Sequence, residues 1–573
     1  MLSDEKRTML PTEFIQKSAA IVGKDAVLQD PALMLPYTRG FRYGNSSAFA
    51  VILPGSLLEL WRTAQLCAAA DMIIIAQAAN TGITGGSTPE GDYDRPVVIL
   101  SMRRLKGIHL IKQATQAVAL PGASLFELED MLAEHHREPH SVIGSSCIGA
   151  SIIGGICNNS GGALIQRGPA YTELSLYAQL NAQGELELHN ELGIELGDSP
   201  EEILQNLENR RYQDSDIRNE DKAASDREYE QRVRDVDADS PSRFNNDGRR
   251  LYGASGSAGK LIVFAVRIDT FPKPEREQVF YIGTNHPQDL TDIRRHILQH
   301  FAELPVSGEY IHCGFFDLAE RYGRDTFRII DSFGTKRIPA FFALKNTVDR
   351  LCAKLPFMPR FFADRFTQCC MNLLPSHLPA FMRSYRERFE HHLILKMSDS
   401  GIEAARDYLS AFFRKREGDF YACNQKEGDK AILHRFVIGG ATGRYWQVHH
   451  KDVGDIMSLD IALKRNESQW FEQLPPELDA QIEKRLYCGH FFCHVMHQDY
   501  ILKKGADAEA IKAQLLAFFD SRGAEYPAEH NVGHLYHAKA VLRAFYQSKD
   551  PCNALNPGIG KTPKGKHWTD CGC

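Results

Sequence analysis

Three histidines fall within eight residues in the run Tyr487-Cys488-Gly489-His490-Phe491-Phe492-Cys493-His494-Val495-Met496-His497-Gln498-Asp499. Imidazole titrates near neutrality and is a common metal ligand, so the cluster offers acid/base chemistry or a metal site. Each ring taken alone is equally a core histidine with satisfied hydrogen bonds. On one continuous strand His490 and His494 share a face and His497 takes the other, unless a turn or bulge intervenes. Cys488 and Cys493 have apolar neighbours and read as buried bystanders. Further on, Glu529-His530 precedes Asn531-Val532-Gly533. That is a carboxylate beside an imidazole, followed by a turn.

A different chemistry belongs to Ala78-Ala79-Asn80-Thr81-Gly82-Ile83-Thr84-Gly85-Gly86-Ser87-Thr88, which follows the apolar run Met72-Ile73-Ile74-Ile75-Ala76. Glycine lets main chain approach a ligand closely, and successive N–H groups in such a turn form a concave anion site suited to a diphosphate. A plain surface loop has the same composition. A second tract, Gly144 to Gly162, is dense in Gly, Ser and Asn. Its helix propensity is poor, and we expect it to lie as backbone against something flat rather than pack as a normal helix.

The elements that position these residues follow from periodicity. Ala48–Leu53 reads as a strand and Ser56–Cys67 as a helix with capping-box spacing, ahead of the strand 72–76. Strands follow at 97–101, 109–111, 117–120 and, in pairs, across 173–189. A helix spans 124–135. Gly253–Lys260 leads into a buried strand at 261–266. That octapeptide is not a P-loop: position 254 is Ala where the first Gly is required, and Leu261 follows the Lys. GxGxxG is absent as well. Residues 197–250 are rich in Asp, Glu, Arg, Asn and Ser, and are expected to be a solvated excursion. After Phe271-Pro272-Lys273-Pro274 a new α+β pattern begins, with a strand at 277–284, a helix at 287–302 and a later helix at 506–521.

At 573 residues the chain has room for several domains, and its net charge of −6 gives no global basic signature for nucleic acid. Thirteen cysteines without paired spacings fit a reducing compartment. The N-terminal residues are not patterned as a signal peptide. No run approaches the ~20 apolar residues of a membrane span. Residues 336–396 nonetheless carry eleven Lys or Arg against four Asp or Glu, interleaved with Phe and Tyr. Amphipathic helices with solvated outer faces fit this block. So does a patch that settles on anionic lipid, and single-stranded nucleic acid uses a similar mix.

Taken together, Gln77 to Thr88, Arg137 to Tyr171, Ala258 to Phe271 and Tyr526 to Tyr536 resemble the flavoproteins of the vanillyl-alcohol-oxidase or PCMH type. Within them the chain closely resembles the bacterial quinone-dependent D-lactate dehydrogenases. The resemblance implies an α+β architecture: a PCMH-type FAD-binding domain of two α/β subdomains over 1–270, and an α+β cap over 271–520. The cap includes an inserted helical, basic, membrane-facing region at about 330–396. Residues 521–573 return to the FAD domain and the active site. It implies non-covalent FAD held by Ala78, Ala79, Asn80, Thr81, Gly82, Gly86 and Ser87, with Gly144, Ser151, Gly161 and Val263 contributing from later in the chain. His490, His497 and Glu529 match the family's divalent-metal ligands, and His530 its base. Arg435 is the candidate partner of the substrate carboxylate, or else a structural ion pair. The family pattern is not followed throughout. Phe-Phe-Cys-His-Val-Met separates His490 from His497 where relatives carry Gly-Asp-Gly-Asn. Asn531 replaces a Gly, and Ile559-Gly560 intervene before Lys561. The implied partners are D-lactate, membrane quinone and an anionic lipid surface, without nucleic acid. The implied location is peripheral, on the cytoplasmic face of the bacterial inner membrane. Two rivals are the same fold acting on another 2-hydroxy acid, such as 2-hydroxyglutarate or glycolate, and a lipid- or nucleic-acid-binding protein with a vestigial flavin site.

Overall fold

The structure is a computed structural model that describes residues 9–40, 42–140, 149–218, 221–352, 354–355 and 357–569. Gly144, most of the segment His140–Cys147, and the terminal Cys571 and Cys573 lie outside the described residues.

Three sheets carry the molecule. The first has the order Val27–Leu28, Ala50–Ile52, Val97–Ser101, Ile73–Gln77, and its last three strands are parallel. The helix Leu57–Ala69 makes the crossover, with Ser56 accepting from the Glu59 N–H as its cap. Leu57, Leu60, Trp61 and Ala64 from that helix pack on Ile52, Ile74, Val98 and Leu100. The second sheet is antiparallel, in the order Ile108–Ile111, Gln116–Ala119, Ile262–Asp269, Ser175–Leu180, Leu186–Asn190. The helix Leu125–Ala133 lies against it, started by the Ser124/Glu127 capping box.

The third sheet is the largest and also antiparallel: Asp419–Ala422, Glu277–Thr284, His391–Ser398, Ser307–His312, Ile482–His490, Val495–Lys503, Val453–Ala462. Its side chains alternate between two cores, as a period of two requires. Phe280, Ile282, Leu393, Leu395 and Tyr310 face the helices Pro287–His300 and Gly401–Phe413. Val279, Tyr281, Ile394 and Ile311 face Cys313–Tyr322, Ala380–Arg388, Gln425–Phe436 and Ile438–His449. The chain end then returns to the first sheet. Ile74 N–H donates to Ala554 O at 2.8 Å, and Asn556 N–H donates to Ile74 O at 2.9 Å.

Three expectations are corrected here. Residues 197–250 are not merely solvated. Arg243, Asn245, Asn246 and Asp247 are buried, and Asp226 is enclosed by Arg232 and Arg250 at 3.2 and 2.6 Å. Buried charges persist because they are paired, and composition could not reveal the pairing. The second small-residue tract does contain an α-helix, Ile152–Cys157, which Ser151 caps by accepting from Gly154 N–H at 3.1 Å. Burial of Ile152, Ile153 and Ile156 against Val263 and its neighbours outweighs the low propensity of its two glycines. The histidine run is not one strand. Ile482–His490 and Val495–Lys503 pair antiparallel around a turn at Phe491–Cys493, with His494 at φ 53°.

Candidate active site

That hairpin sets the geometry. His497 lies opposite Cys488, two residues from His490, so His490 and His497 point from one face. His494 is turned away, with Nδ1 donating to Lys464 O at 2.8 Å, and belongs to the core.

Glu529 meets the two rings. His490 Nε2 lies 3.1 Å and His497 Nε2 3.6 Å from Glu529 Oε2. The other ring nitrogens face carboxylates: His490 Nδ1 is 2.6 Å from Glu309 Oε1, and His497 Nδ1 is 3.4 Å from Asp460 Oδ1. A carboxylate only accepts, so His490 donates to Glu309 from Nδ1 and, when charged, to Glu529 from Nε2; loss of that Nε2 proton would free its lone pair for a metal. The three candidate ligand atoms lie within 4.8 Å of one another. Two oriented imidazoles and one carboxylate, each backed by an outer partner, fit a divalent metal with positions left open for substrate.

The electrostatics are those of a crowded anionic site. Arg243, fully buried, donates to Glu529 Oε1 and to Gly162 O at 2.5 Å. Burial would raise the Glu529 carboxyl, but His490 and Arg243 overcome it and hold the group well below the usual range. Burial likewise opposes charge on His490, yet Glu309 and Glu529 push it up to about 10, whereas burial carries His497 down to about 4. Thus one ring of the pair takes the positive charge and the other stays neutral. His530, with a side chain 36% exposed, is the most open of the set. Its Nδ1 lies 2.7 Å from Asp460 Oδ2, which outweighs burial and raises the imidazole. Nε2 of His530 is therefore the acceptor.

Arg435 is at this site. Its Nε is 3.0 Å from Glu309 Oε2, on the far side of that carboxylate from His490. Its two terminal nitrogens have no partner among the described residues, so the guanidinium fork is free for a carboxylate.

The glycine loop has the polarity an anion needs. Among the described residues, no backbone N–H from Ala79 through Ser87 donates to any acceptor. Its carbonyls, by contrast, are tied from behind. Thr84 O accepts from His534 N–H at 3.0 Å, Gly86 O from Asn556 Nδ2 at 2.9 Å, and Ser87 O from Gln77 Nε2 at 2.7 Å. Asn80, at φ 56°, accepts from Ser87 Oγ at 3.0 Å and donates to Arg39 O at 2.9 Å, bracing the turn. Ala78 packs on the first core, Thr81 lies in the loop, and a Cβ at Gly82 would meet nothing within 4 Å. Backbone donors left without protein acceptors fit the pyrophosphate of a dinucleotide such as FAD. Of the other expected cofactor residues, Ser151 caps the short helix and Val263 packs in the core beneath it, and Gly161 abuts Glu529. A Cβ there would stand 2.5 Å from Glu529 Oε1, so only glycine fits. Asn531, the departure from the family pattern, donates to Asn158 Oδ1 at 2.6 Å and lies against Gly86, joining both tracts to Glu529-His530.

Glu309, Asp460 and Arg243 were not singled out from the sequence. Glu309 is the one acid of its strand, and Asp460 lies among Leu459, Ile461 and Ala462 in a strand that also carries Asp455, so their signal is faint. Arg243 carries none.

Residues 48–186 match the family model of FAD binding domains, and residues 279–568 match "D-lactate dehydrogenase, membrane binding". Among solved structures, p-cresol methylhydroxylase with substrate bound superposes with a TM-score of 0.59 at 13% identity, covering 96% of both chains. An alkyldihydroxyacetonephosphate synthase superposes with a TM-score of 0.58 at 12% identity, covering 96% of this chain and 85% of the other. These show the PCMH-type fold. The quinone-dependent D-lactate dehydrogenase of Haemophilus influenzae (strain ATCC 51907 / DSM 11121 / KW20 / Rd) is 54% identical over 97% of this chain and 99% of its own. That of Escherichia coli (strain K12) is 54% identical over 97% of this chain and 98% of its own. Identity of that extent, on a chain whose FAD loop and histidine centre are both in place, shows the family: the protein belongs to the quinone-dependent D-lactate dehydrogenases.

Proposed function

We infer that the chain is an FAD-dependent dehydrogenase that oxidises D-lactate to pyruvate and delivers the electrons to a membrane quinone. The observation that carries this reading is the 54% identity to a quinone-dependent D-lactate dehydrogenase over 97% of the chain. The site supplies what such a reaction needs from protein. The free N–H groups of residues 79–87 seat the pyrophosphate, and Ser151, Gly161 and Val263 line the tract beside it. FAD bound there would supply the acceptor for the hydride equivalent of substrate C2. The Arg435 fork binds the lactate carboxylate and fixes which face of C2 is presented. His530 Nε2 takes the hydroxyl proton. His490, His497 and Glu529 would hold a divalent metal, which would supply polarisation of the hydroxyl oxygen.

We read association with the membrane as peripheral, on the match of residues 279–568 to the membrane-binding family model; no helix among the described residues is long and apolar enough to cross one. The expected basic patch needs revision as a docking face. Arg386 is paired with Asp317, Arg388 with Asp419, Lys396 with Glu277 and Lys345 with Asp364. Arg350, Arg360, Arg365 and Arg383 have no ion-pair partner among the described residues. Among the described residues, eight of the thirteen exposed large hydrophobics lie between Phe333 and Leu374, including Phe357 at 78% and Leu373 at 83%. An apolar surface with a basic rim inserts shallowly into an anionic leaflet. We place it at the cytoplasmic face of the bacterial inner membrane. Nucleic acid has no part in this reading.

Anaerobic mixing of the holoenzyme with D- or L-lactate tests cofactor, substrate and chirality together. Flavin bleaching by D-lactate alone is expected; no bleaching by either isomer sinks the assignment.

A further inference from the structure

Asp460 takes more contacts from the centre than any group in the reading above requires. It sits in the strand Val453–Ala462 and is 5% exposed. Its Oδ2 accepts from Glu529 N–H at 2.8 Å, His530 N–H at 3.2 Å and His530 Nδ1 at 2.7 Å. Its Oδ1 faces His497 Nδ1 at 3.4 Å. Its backbone oxygen accepts from Ala528 N–H at 3.0 Å. One oxygen of this carboxylate therefore grips the backbone of the Glu-His pair and the ring of His530, and the other faces the ring of His497.

We propose that Asp460 is the positioning residue of the reaction, fixing His530 with its proton on Nδ1 and its Nε2 turned to the substrate hydroxyl. The inference rests on the D-lactate reading and on His530 as base. The physical case is one of alternatives. A neutral imidazole has two tautomers and can flip about its ring axis, and only one arrangement puts a lone pair on the substrate side. An acceptor-only group at 2.7 Å from Nδ1 removes the others. The two backbone N–H groups on the same oxygen hold that oxygen still, so the ring is oriented by the strand rather than by its own torsions. Because Oδ1 faces His497, the same carboxylate sets the angle between the base and a candidate ligand ring. In the proton-transfer step the O–H bond of lactate breaks and an N–H bond forms on His530 Nε2; Asp460 neither gains nor loses a proton.

Asp460→Asn tests this. Its amide oxygen can still accept from the two backbone N–H groups, but its nitrogen must then face His497 Nδ1 with a donor, and the charge that favours the correct His530 tautomer is gone. The readout is anaerobic flavin bleaching across D-lactate concentrations. The limiting rate is expected to fall by about 10²- to 10⁴-fold, with the half-saturating lactate concentration within about threefold of the parent and FAD content unchanged. A solvent deuterium isotope effect larger than in the parent is expected too, since proton removal becomes the slow event. A limiting rate within threefold of the parent overturns the proposal. So does a rise in half-saturating lactate with an unchanged limiting rate, which assigns Asp460 to substrate binding. If Asp460→Asn fails to hold FAD, Asp460→Glu decides: retained FAD with bleaching slowed at least about tenfold supports the proposal, and parent-like bleaching or loss of FAD overturns it. Parent enzyme that D-lactate does not bleach removes the functional reading instead, and a fast-bleaching His530→Gln removes the base assignment.

Discussion

His530 is the one imidazole of the centre with an open Nε2, since His490 and His497 both turn theirs to Glu529. Replacing it with glutamine keeps a polar side chain but removes the base. His530→Gln is expected to retain FAD and to lose about 10²- to 10⁴-fold in bleaching rate by D-lactate; near-parental turnover takes His530 out of the mechanism. Gly161 makes a second residue-scale prediction. A methyl group there would stand 2.5 to 2.7 Å from three atoms of the Glu529 side chain. Gly161→Ala must push that carboxylate off Arg243 and the two histidines. Displacement of a catalytic constellation by about 1 Å costs on the order of 10²-fold, so lactate turnover is expected to drop by at least tenfold. Stopped-flow bleaching and the flavin spectrum separate this from loss of cofactor. Both residues were legible beforehand, His530 from its pairing with Glu529 and Gly161 from its tract. Arg243, which makes Gly161 indispensable by fixing Glu529, sits in a stretch whose polar composition hides it.

At the scale of elements, the antiparallel strands Ser307–His312 and His391–Ser398 and the helix Gln425–Phe436 bury a group of imidazoles apart from the active centre. Burial lowers His312 to about 4, and His377, His391, His392 and His434 to about 3. Neither ring nitrogen of His377 or His392 has a partner among the described residues. The sign follows directly. These rings are neutral in the fold down to pH of about 4 to 3, while in the unfolded chain they take protons below about 6.5. The unfolded state then binds more protons, so stability is full above pH 6.5 and is lost as pH falls toward the folded values. The melting temperature of the cap is expected to fall steeply between pH 7 and 5, by calorimetry, and His392→Leu with His434→Leu to flatten that fall. An unchanged slope in the double variant would assign the acid sensitivity to other groups. Neither strand nor the helix was picked out from the sequence, where 336–396 read as a basic, aromatic block. Nor was it legible that His312 and His391 meet beside Tyr310 on one face of the sheet while His392, His434 and His377 gather around Phe316 on the other, because a strand pattern reports which face a residue takes and not what lies opposite.

Across the whole molecule, the sheet of the cap links two surfaces. One edge carries the histidine centre against the FAD loops. The stretch 333–374, which includes the helices Ile338–Cys352 and Phe362–Asn372, carries the exposed apolar patch. An ion network holds these helices to the rest: Arg444 lies 2.6 Å from both Asp325 and Asp364, and Lys345 reaches Asp364. The patch is thereby a separable function. Phe333, Phe357 and Phe366 changed to Ser are expected to abolish sedimentation with anionic vesicles. Arg360, Arg365 and Arg383 changed to Glu should weaken it in a salt-dependent way. Turnover of D-lactate with a soluble dye should stay within about twofold, as no patch residue touches the centre; unchanged vesicle binding in both variants would discard the face.

The amino-acid sequence by itself determined the glycine loop, the small-residue tract, the His-x6-His pair, the Glu-His pair and the order of strands and helices around them. Each of these is a local pattern, set by spacing along the chain and by the conformations glycine allows. Tertiary structure alone decided that a turn at Phe491–Cys493 puts His490 and His497 on one face. It also decided that Glu309, Asp460 and Arg243 come from three distant segments to charge and orient the centre, and that Arg386 and Arg388 of the basic block pair with Asp317 and Asp419. Those outcomes depend on which groups meet in space after the apolar faces are buried. A carboxylate inside an apolar strand is tolerated only where a partner waits, and the partner is supplied by the fold.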